Sequence, residues 1–317
     1  MIELVRLIFF YDVGIHKLKR MRLMLPENKQ AIGLVGLGVM GRGVAENLIK
    51  NGYQVIGRDV SADALKWLES IGGVASREAS DVTSVCDVVI SFVVNDVQTE
   101  ALLFGENGLA KTMRPDTVFI ACSTMAPKFL KELSLRLANI GVHLIDAPVT
   151  GGQVGAKNAT MTIMAAGPKD IYERIQPILK SIGGKIFFLG TEAGMGAQMK
   201  VVNQLLCGVH IAAAAEALAM AKKHGLPLDT TLEILKSGAA SSWMLGDRGP
   251  RMVADSFDDV KSAVDIFVKD LGLVLDSARQ ASFAAPMAHT AFLQFLESSG
   301  HGLGKLDDAA VIRNYTE

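Results

Sequence analysis

The chain of 317 residues is half hydrophobic and 21% charged, which is enough apolar material for two folded domains and excludes a disordered chain. Its 32 basic and 33 acidic residues give a net charge of −1, so it lacks the basic surplus of a nucleic-acid-binding protein, and no nucleic acid partner is expected. Its three cysteines and six histidines are scattered, which excludes a disulfide framework, predicts no metal site and favours a reducing compartment, the cytoplasm.

Residues 1–30 are interpreted as an extension that the protein does not need, or as a mis-assigned start, because Met21 and Met24 lie downstream. The apolar run Leu4–Tyr11 is too short to span a bilayer and is interrupted by Arg6. The alternative is a targeting signal. The order of charged and small residues does not fit a signal peptide, however, and the acidic residues and the lack of Ser do not fit a transit peptide.

From Ala31 onward, short apolar runs alternate with helical segments. Buried strands are predicted at Ala31–Val35, Tyr53–Gly57, Val88–Val94, Val118–Ala121, His143–Ile145 and Met161–Ala165. Helices are predicted between them, for example one that Ser61 caps and that runs to Ile71, and one over Pro127–Asn139. This alternation predicts an α/β fold with a doubly wound, mostly parallel sheet that is covered by helices on both faces.

The pattern becomes all-helical from about residue 193. A long helix is predicted over Ala197–His224, and shorter helices over Asp229–Lys236 and Val260–Gln280. The middle of the long helix is apolar on most faces, but it contains His210 and Glu216. A buried helix at a domain or subunit junction is therefore favoured over a membrane span.

A glycine-rich turn follows the first predicted strand. The segment Gly36-Leu37-Gly38-Val39-Met40-Gly41 matches G-x-G-x-x-G between a strand and a helix, the context in which this motif binds a dinucleotide. The first glycine allows a tight turn, the second lets the backbone approach a pyrophosphate, and the third lets the helix pack on the strand. The helix N-terminus then offers N–H groups to the phosphates. The alternative is a glycine turn in an ordinary α/β domain.

An acidic residue, Asp59, ends the second strand and is expected to accept hydrogen bonds from the adenosine ribose hydroxyls. A carboxylate repels the 2′-phosphate of NADP, Val60 supplies no cation, and strand alternation directs Arg58 to the other face. NAD is therefore expected rather than NADP. The prediction is a Rossmann-type NAD-binding domain over residues 31–192, which the long helix joins to an all-helical substrate and dimerisation domain over residues 193–317.

Three further stretches place polar residues in apolar surroundings. Cys122–Pro127 and Asp146–Gly152 each follow a predicted strand, so both fall at the carboxyl edge of the sheet, where ligands bind. Lys200, Asn203 and Gln204 share one face of the first turns of the long helix. A lysine beside two amides on an apolar helix indicates a reactive group, and the alternative is a snorkelling lysine on a solvated turn.

In its motifs the chain resembles the β-hydroxyacid dehydrogenases, which include 3-hydroxyisobutyrate dehydrogenase, tartronate semialdehyde reductase and, more distantly, 6-phosphogluconate dehydrogenase. The resemblance covers residues 31–317 and rests on Gly36–Leu48, Asp146–Gly152, Gly196–Gln204 and Lys269–Leu271, in the family's order. It implies an NAD-dependent oxidoreductase that takes a hydride from a small anionic hydroxyacid, with no metal and no membrane association. The long apolar helix suggests a homodimer or homotetramer.

The resemblance also implies roles for individual positions. Lys200 would be the general acid/base, and burial together with the neighbouring Lys269 cation is expected to lower its pKa toward neutrality. The substrate would be bound by Ser123, Thr150, Gly151, Gly152, Asn203 and Gln204. The cofactor would be bound by Gly36, Leu37, Gly38, Val39, Met40, Gly41, Asp59, Val93, Val94, Asn95, Thr124 and Lys269.

The chain departs from the family's usual residues at Ala121, Thr150, Gln204 and Val93–Asn95. These departures resemble the L-threonate dehydrogenase subgroup, and three longer blocks share the resemblance: Asn203–Ala213, Ser242–Met244 and Ser262–Leu273. The resemblance thus implies oxidation of L-threonate at its 2-hydroxyl group. One alternative is a 3-hydroxyisobutyrate dehydrogenase, or a tartronate or succinic semialdehyde (glyoxylate) reductase, that uses NADPH. Another class is a non-catalytic nucleotide-binding module, against which the presence of Lys200 argues.

Overall fold

The computed structural model describes residues 30–315. The predicted N-terminal extension, residues 1–30, therefore lies outside the described residues except for Gln30. The chain divides into two compact units, of which the first ends at Ala197 and the second begins at Gln198.

The first unit alternates strands with helices, as the sequence predicts. Its described strands are β1 (Ala31–Val35), β2 (Gln54–Arg58), β3 (Val74–Ser76), β4 (Val88–Ser91), β5 (Val118–Ala121), β6 (His143–Asp146), β7 (Val149–Thr150), β8 (Met161–Ala165) and β9 (Gly183–Phe188). Its described helices are α1 (Val39–Lys50), α2 (Ala62–Ser70), α3 (Ala79–Thr83), α4 (Asp96–Phe104), α5 (Pro127–Ala138), α6 (Gly152–Lys157) and α7 (Lys169–Ile182).

Six parallel strands form the main sheet in the order β3-β2-β1-β4-β5-β6. This is the Rossmann-type order, and it reverses between β1 and β4, where such sheets bind ligands beyond the carboxyl ends of their strands. Apolar side chains fill both faces of the sheet: Ile32 and Leu34 of β1 lie in one buried cluster, and Val35 lies in the other. The predicted doubly wound α/β fold is confirmed.

One predicted strand lies outside the main sheet. Met161–Ala165 forms β8 with the predicted bounds, but it is the middle strand of a second sheet, between β7 and β9. It pairs antiparallel with β7 and parallel with β9. An apolar run predicts a buried strand but not its partner, because strand pairing is a tertiary contact.

The second unit is all-helical, as predicted. Its described helices are α8 (Met195–Lys223, which begins just before the boundary), α9 (Leu228–Ser237), α10 (Trp243–Val253), α11 (Val264–Gln280) and α12 (Pro286–Ser298). A core that includes Ile211 and Leu218 of α8 and Phe267 of α11 holds them together. A 3₁₀ helix over Asp308–Tyr315 closes the described chain, and its apolar residues also enter this core.

Among the described helices, α8 is the one that is long and apolar enough to cross a membrane, as judged by length and composition alone. Core helices of globular proteins pass the same test, and 44% of the most apolar window of α8 is buried within the protein. The helix also carries the buried polar side chains Lys200 and Gln204 near its start.

Candidate active site

The turn between β1 and α1 is built for close backbone approach. Gly36 has φ = +88°, and a Cβ there would lie 2.7 Å from the carbonyl oxygen of Phe92. A Cβ on Gly41 would collide with the Gly36 carbonyl, whereas one on Gly38 would meet nothing within 4 Å. No described side chain caps α1, so its first N–H groups remain available to an anion. The free space at Gly38 and these N–H groups fit a dinucleotide pyrophosphate.

Asp59 is held rigidly beside this turn. Its Oδ2 accepts a hydrogen bond from the Leu37 N–H at 2.6 Å, and its Oδ1 accepts one from the Ser61 N–H at 2.8 Å. A cavity of about 580 Å³ opens in front of the turn, and its lining includes Leu37, Gly38, Val39 and Asp59 but not Arg58. The carboxylate therefore faces the space in front of the glycine turn, where a ribose would lie.

A hydrogen bond connects the loops that follow β4 and β5. The Ser123 hydroxyl donates a hydrogen bond to the Val93 carbonyl at 2.5 Å, which leaves the hydroxyl oxygen able to accept another. Asn95 caps α4, because its Oδ1 accepts the Gln98 N–H at 2.8 Å. Val94 and Thr124 lie in the same two loops. The structure thus gives the Asn95 side chain a helix-capping contact that its place in the motif did not predict.

The loop of Thr150, Gly151 and Gly152 is positioned by α1. Both glycines have positive φ, and Gly152 begins the short helix α6. The Asn47 Nδ2 of α1 donates hydrogen bonds to the last carbonyls of α6, at 2.8 Å to Ala156 and 3.1 Å to Lys157. The helix that follows the glycine turn therefore also fixes the helix that follows Thr150.

In the second unit, Lys200 is a buried lysine on α8. Burial lowers the pKa of Lys200 because the ammonium form is poorly solvated there, and the nearby Lys269 cation lowers it further. Asp270 and Cys207 act in the opposite direction, but the net pKa is lowered. A lysine with a depressed pKa is suited to proton transfer near neutral pH. The buried environment excludes the alternative of a snorkelling lysine on a solvated turn.

Asp270, which sequence reasoning did not select as a site residue, organises the polar groups around Lys200. It is buried, and its two oxygens accept hydrogen bonds from Lys269 Nζ and from Gln204 Nε2, both at 2.6 Å. Asn203 Nδ2 in turn donates to Gln204 Oε1 at 2.9 Å. The amide of Gln204 is therefore engaged on both sides within the second unit. The position of Asp270 next to Lys269 in its motif was the available signal.

The candidate residues form groups within each unit. In the first unit, contacts join the glycine turn to Asp59, Ser123 to Val93, and α1 to the helix after Thr150. In the second unit, Lys200, Asn203, Gln204 and Lys269 gather around Asp270. No group of His, Cys, Asp and Glu suited to a metal ion occurs in the described part of the chain.

Comparison with known proteins identifies the family. The family model for the NAD-binding domain of 6-phosphogluconate dehydrogenase matches residues 31–190. A second model, the NAD-binding region of NADP-dependent 3-hydroxyisobutyrate dehydrogenase, matches residues 194–315. The chain belongs to the β-hydroxyacid dehydrogenase family. It is thus an NAD-binding oxidoreductase of a family that acts on small hydroxyacids, and the family and fold predicted from the sequence are confirmed.

Individual members of the family are similar over nearly the whole described chain. L-threonate dehydrogenase of Cupriavidus necator is 43% identical over 282 residues, which are 89% of this chain and 95% of that protein. L-threonate dehydrogenase of Escherichia coli K12 is 41% identical over 90% of this chain and 94% of that protein. The crystal structure of 3-hydroxyisobutyrate dehydrogenase from Salmonella typhimurium superposes with a TM-score of 0.86 at 37% identity and covers 90% of this chain and all of that one.

Proposed function

We propose that this β-hydroxyacid dehydrogenase oxidises L-threonate at its 2-hydroxyl group to the 2-oxo acid with NAD. The observation that carries the proposal is the 41–43% identity to relatives named L-threonate dehydrogenase over about nine tenths of the chain. The polar side chains of the candidate site support it. A four-carbon acid with three hydroxyl groups needs several hydrogen-bonding partners, and an analogue without them would leave buried polar groups unpaired.

The cofactor is proposed to bind residues 31–192. The glycine turn would hold the pyrophosphate at the N-terminus of α1, and Asp59 would accept the ribose hydroxyls. Val93, Val94, Asn95 and Thr124 would line its path, and Lys269 is also assigned to cofactor binding. Bound NAD supplies the hydride acceptor. NAD is preferred to NADP in this proposal, because the Asp59 carboxylate would repel a 2′-phosphate.

The remaining chemistry is assigned to side chains and backbone of the chain. In the oxidation, the neutral amine of Lys200 takes the proton of the substrate hydroxyl, which its lowered pKa permits. Thr150 and the backbone N–H groups of Gly151 and Gly152 bind the substrate carboxylate. Ser123 and Asn203 orient the hydroxyl groups. Gln204 is proposed to act from behind Asn203, since both ends of its amide are engaged with Asn203 and Asp270.

The proposal extends to assembly and location. Met199, Val202 and Leu206 are 41%, 54% and 51% exposed and follow one another at three- and four-residue spacing on α8. Such an apolar stripe supports a homodimer or homotetramer formed by the second unit. A cytoplasmic location is proposed from the three thiols, which the structure leaves free.

A side-by-side substrate assay tests the function. L-threonate, D-erythronate, D-glycerate and 3-hydroxyisobutyrate are each offered with NAD and with NADP, and kcat/KM is measured from the absorbance of the reduced cofactor. L-threonate with NAD is expected to give the highest value. A higher value for D-glycerate or 3-hydroxyisobutyrate would overturn the substrate and leave the dehydrogenase in place. No turnover with any hydroxyacid would favour a non-catalytic nucleotide-binding module.

A second candidate is a 3-hydroxyisobutyrate dehydrogenase or a semialdehyde reductase that uses NADPH. The observation that favours it is the TM-score of 0.86 to the Salmonella 3-hydroxyisobutyrate dehydrogenase, together with the NADP-dependent family model over residues 194–315. In the same assay, this candidate predicts NADPH-driven reduction of a semialdehyde and a preference for the branched substrate.

A further inference from the structure

Asp146 joins three parts of the first unit. It is the last residue of β6 and opens the segment that continues to Thr150. Its backbone pairs with Ala166, just after β8, through N–H to O=C hydrogen bonds of 2.9 Å and 2.8 Å in the two directions. The end of the main sheet is thereby connected to the second sheet. The Asp146 side chain points toward a third element, the start of α8.

One oxygen of Asp146 binds the first turn of α8. Its Oδ2 accepts hydrogen bonds from the N–H groups of Gly194 and Ala197, both at 2.9 Å. The first N–H groups of a helix have no partner within the helix, and the helix dipole favours an acceptor there. A Cβ on Gly196 would collide with the Met164 carbonyl oxygen of β8 and would lie 3.0 Å from the Asp146 carboxyl carbon. The glycine therefore permits this close approach.

The carboxyl group lies in a dry and nearly uncharged environment. Asp146 is fully buried, and its Oδ1 accepts no hydrogen bond from a described residue. The Cys122 thiol, at the end of β5, is the titratable group that faces it, while β8 and the start of α8 present backbone groups. Burial raises the pKa of Asp146 to about 7, although the amides of residues 194–197 act against that rise.

We propose that Asp146 is a positioning residue for the reaction. One buried oxygen of its carboxyl group accepts hydrogen bonds from two backbone N–H groups, and it thereby fixes the first turn of α8, the helix that carries Lys200. The proposal rests on the catalytic role proposed for Lys200, which lies three residues beyond Ala197 on the same helix. It also implies that one segment, residues 146–152, has two roles: Asp146 at its start anchors the helix of Lys200, and its end forms the proposed substrate loop.

The ionisation of Asp146 has a defined sign. A carboxyl group whose pKa is raised in the folded state favours that state when protonated, and this contribution is lost as the pH rises through about 7. The amide hydrogen bonds are stronger to the carboxylate, but burial of the charge outweighs them, so opening of the anchor to water becomes easier once Asp146 ionises. An asparagine at this position keeps the accepting oxygen and resembles that neutral form at every pH.

The kinetic experiment compares Asp146→Ala with Asp146→Asn in the full chain. Asp146→Ala is expected to lower kcat about tenfold or more with the KM for NAD within about threefold, and Asp146→Asn is expected to restore kcat to within about threefold of wild type. Asp116→Ala, at an exposed carboxylate of the same unit, is the control and should keep the wild-type kcat. Wild-type kcat in Asp146→Ala, or no rescue by asparagine, would overturn the proposal.

A second variant and a second measurement test the anchor even if Asp146→Ala does not fold. Gly196→Ala leaves every titratable group in place but pushes the first turn of α8 away from both Asp146 and the Met164 carbonyl of β8. It should lower kcat about tenfold, so an unchanged kcat would contradict the anchor. Amide exchange of Gly194 and Ala197, corrected for intrinsic rates, should accelerate as the pH rises through 7 in wild type and stay flat in Asp146→Asn. If amide exchange of Gly194 and Ala197 in wild type does not depend on pH, the anchor is overturned whether or not Lys200 proves catalytic. The two proposals can therefore fail separately.

Discussion

The two units offer different kinds of groups at their candidate positions. In the first unit, the groups proposed to bind a ligand are mainly backbone N–H groups at a glycine turn and at the start of a helix, with Asp59 held by two further N–H groups. In the second unit, they are the side chains of Lys200 and Lys269, which lie beside the buried Asp270. Backbone groups bind a cofactor without titrating, whereas the buried side chains can be tuned to exchange a proton.

This difference predicts different consequences of mutation. Changes in the first unit should alter the affinity for the cofactor, because its backbone groups are fixed by glycines and by Asp59. Changes in the second unit should alter turnover and its dependence on pH, because Lys200 and its neighbours carry charges that interact in a buried environment.

The largest effect is expected from Lys200→Ala. Loss of the positioned acid/base should lower kcat by about 10²–10⁴ while NAD affinity stays nearly unchanged. Lys223→Ala, at the exposed last turn of the same helix, is the matched control and should retain wild-type turnover. Steady-state kinetics and NAD titration together test this, and turnover within about threefold of wild type in Lys200→Ala would remove its proposed role.

Asp59→Ala tests the first unit. The variant loses the acceptor for the ribose and the two hydrogen bonds that order the turn, so NAD affinity should fall roughly tenfold. The preference for NAD over NADP should narrow, since the carboxylate no longer repels a 2′-phosphate. The values of kcat/KM for both cofactors measure the change. A wild-type enzyme that prefers NADP would contradict the assignment of Asp59 from the outset.

A pair of substitutions in the second unit should move the pH profile in opposite directions. Oxidation needs the neutral Lys200 amine, so kcat rises with pH through the pKa of Lys200. Lys269→Met removes a cation that lowers this pKa and should shift the rise to higher pH. Asp270→Asn removes an anion that raises it and should shift the rise to lower pH. Shifts of the same sign, or none, would show that Lys200 does not control the profile.

The smallest effect is expected from removal of residues 1–29. Gln30 is kept, because its carbonyl accepts a hydrogen bond from the Gln54 N–H at the start of the sheet. The truncated protein should retain wild-type kcat/KM and thermal stability, since the glycine turn and the Lys200 group both lie downstream. An insoluble or inactive product would instead assign the extension a role in folding of the first unit.

The sequence by itself determined the features that depend on local geometry. The glycine turn, the acid that ends β2, and the shared face of Lys200 and Asn203 follow from spacing, because strand and helix periods fix which nearby residues lie together. The bounds of β1, β5 and β8 agree with the predicted runs for the same reason. The long helix starts two residues before the predicted position, which is the usual uncertainty of a helix end.

Tertiary structure alone decided the contacts between distant parts of the chain. Gln204 and Asp270 are 66 residues apart, and Asp146 meets Gly194 and Ala197 across 48 and 51 residues. No local pattern specifies which buried carboxylate reaches which amide, because the partner depends on how whole elements pack. The same holds for β8, whose apolar residues predict burial but not the second sheet in which it lies. Local spacing thus indicated the candidate groups, and long-range packing supplied the surroundings that influence their ionisation and fix their position.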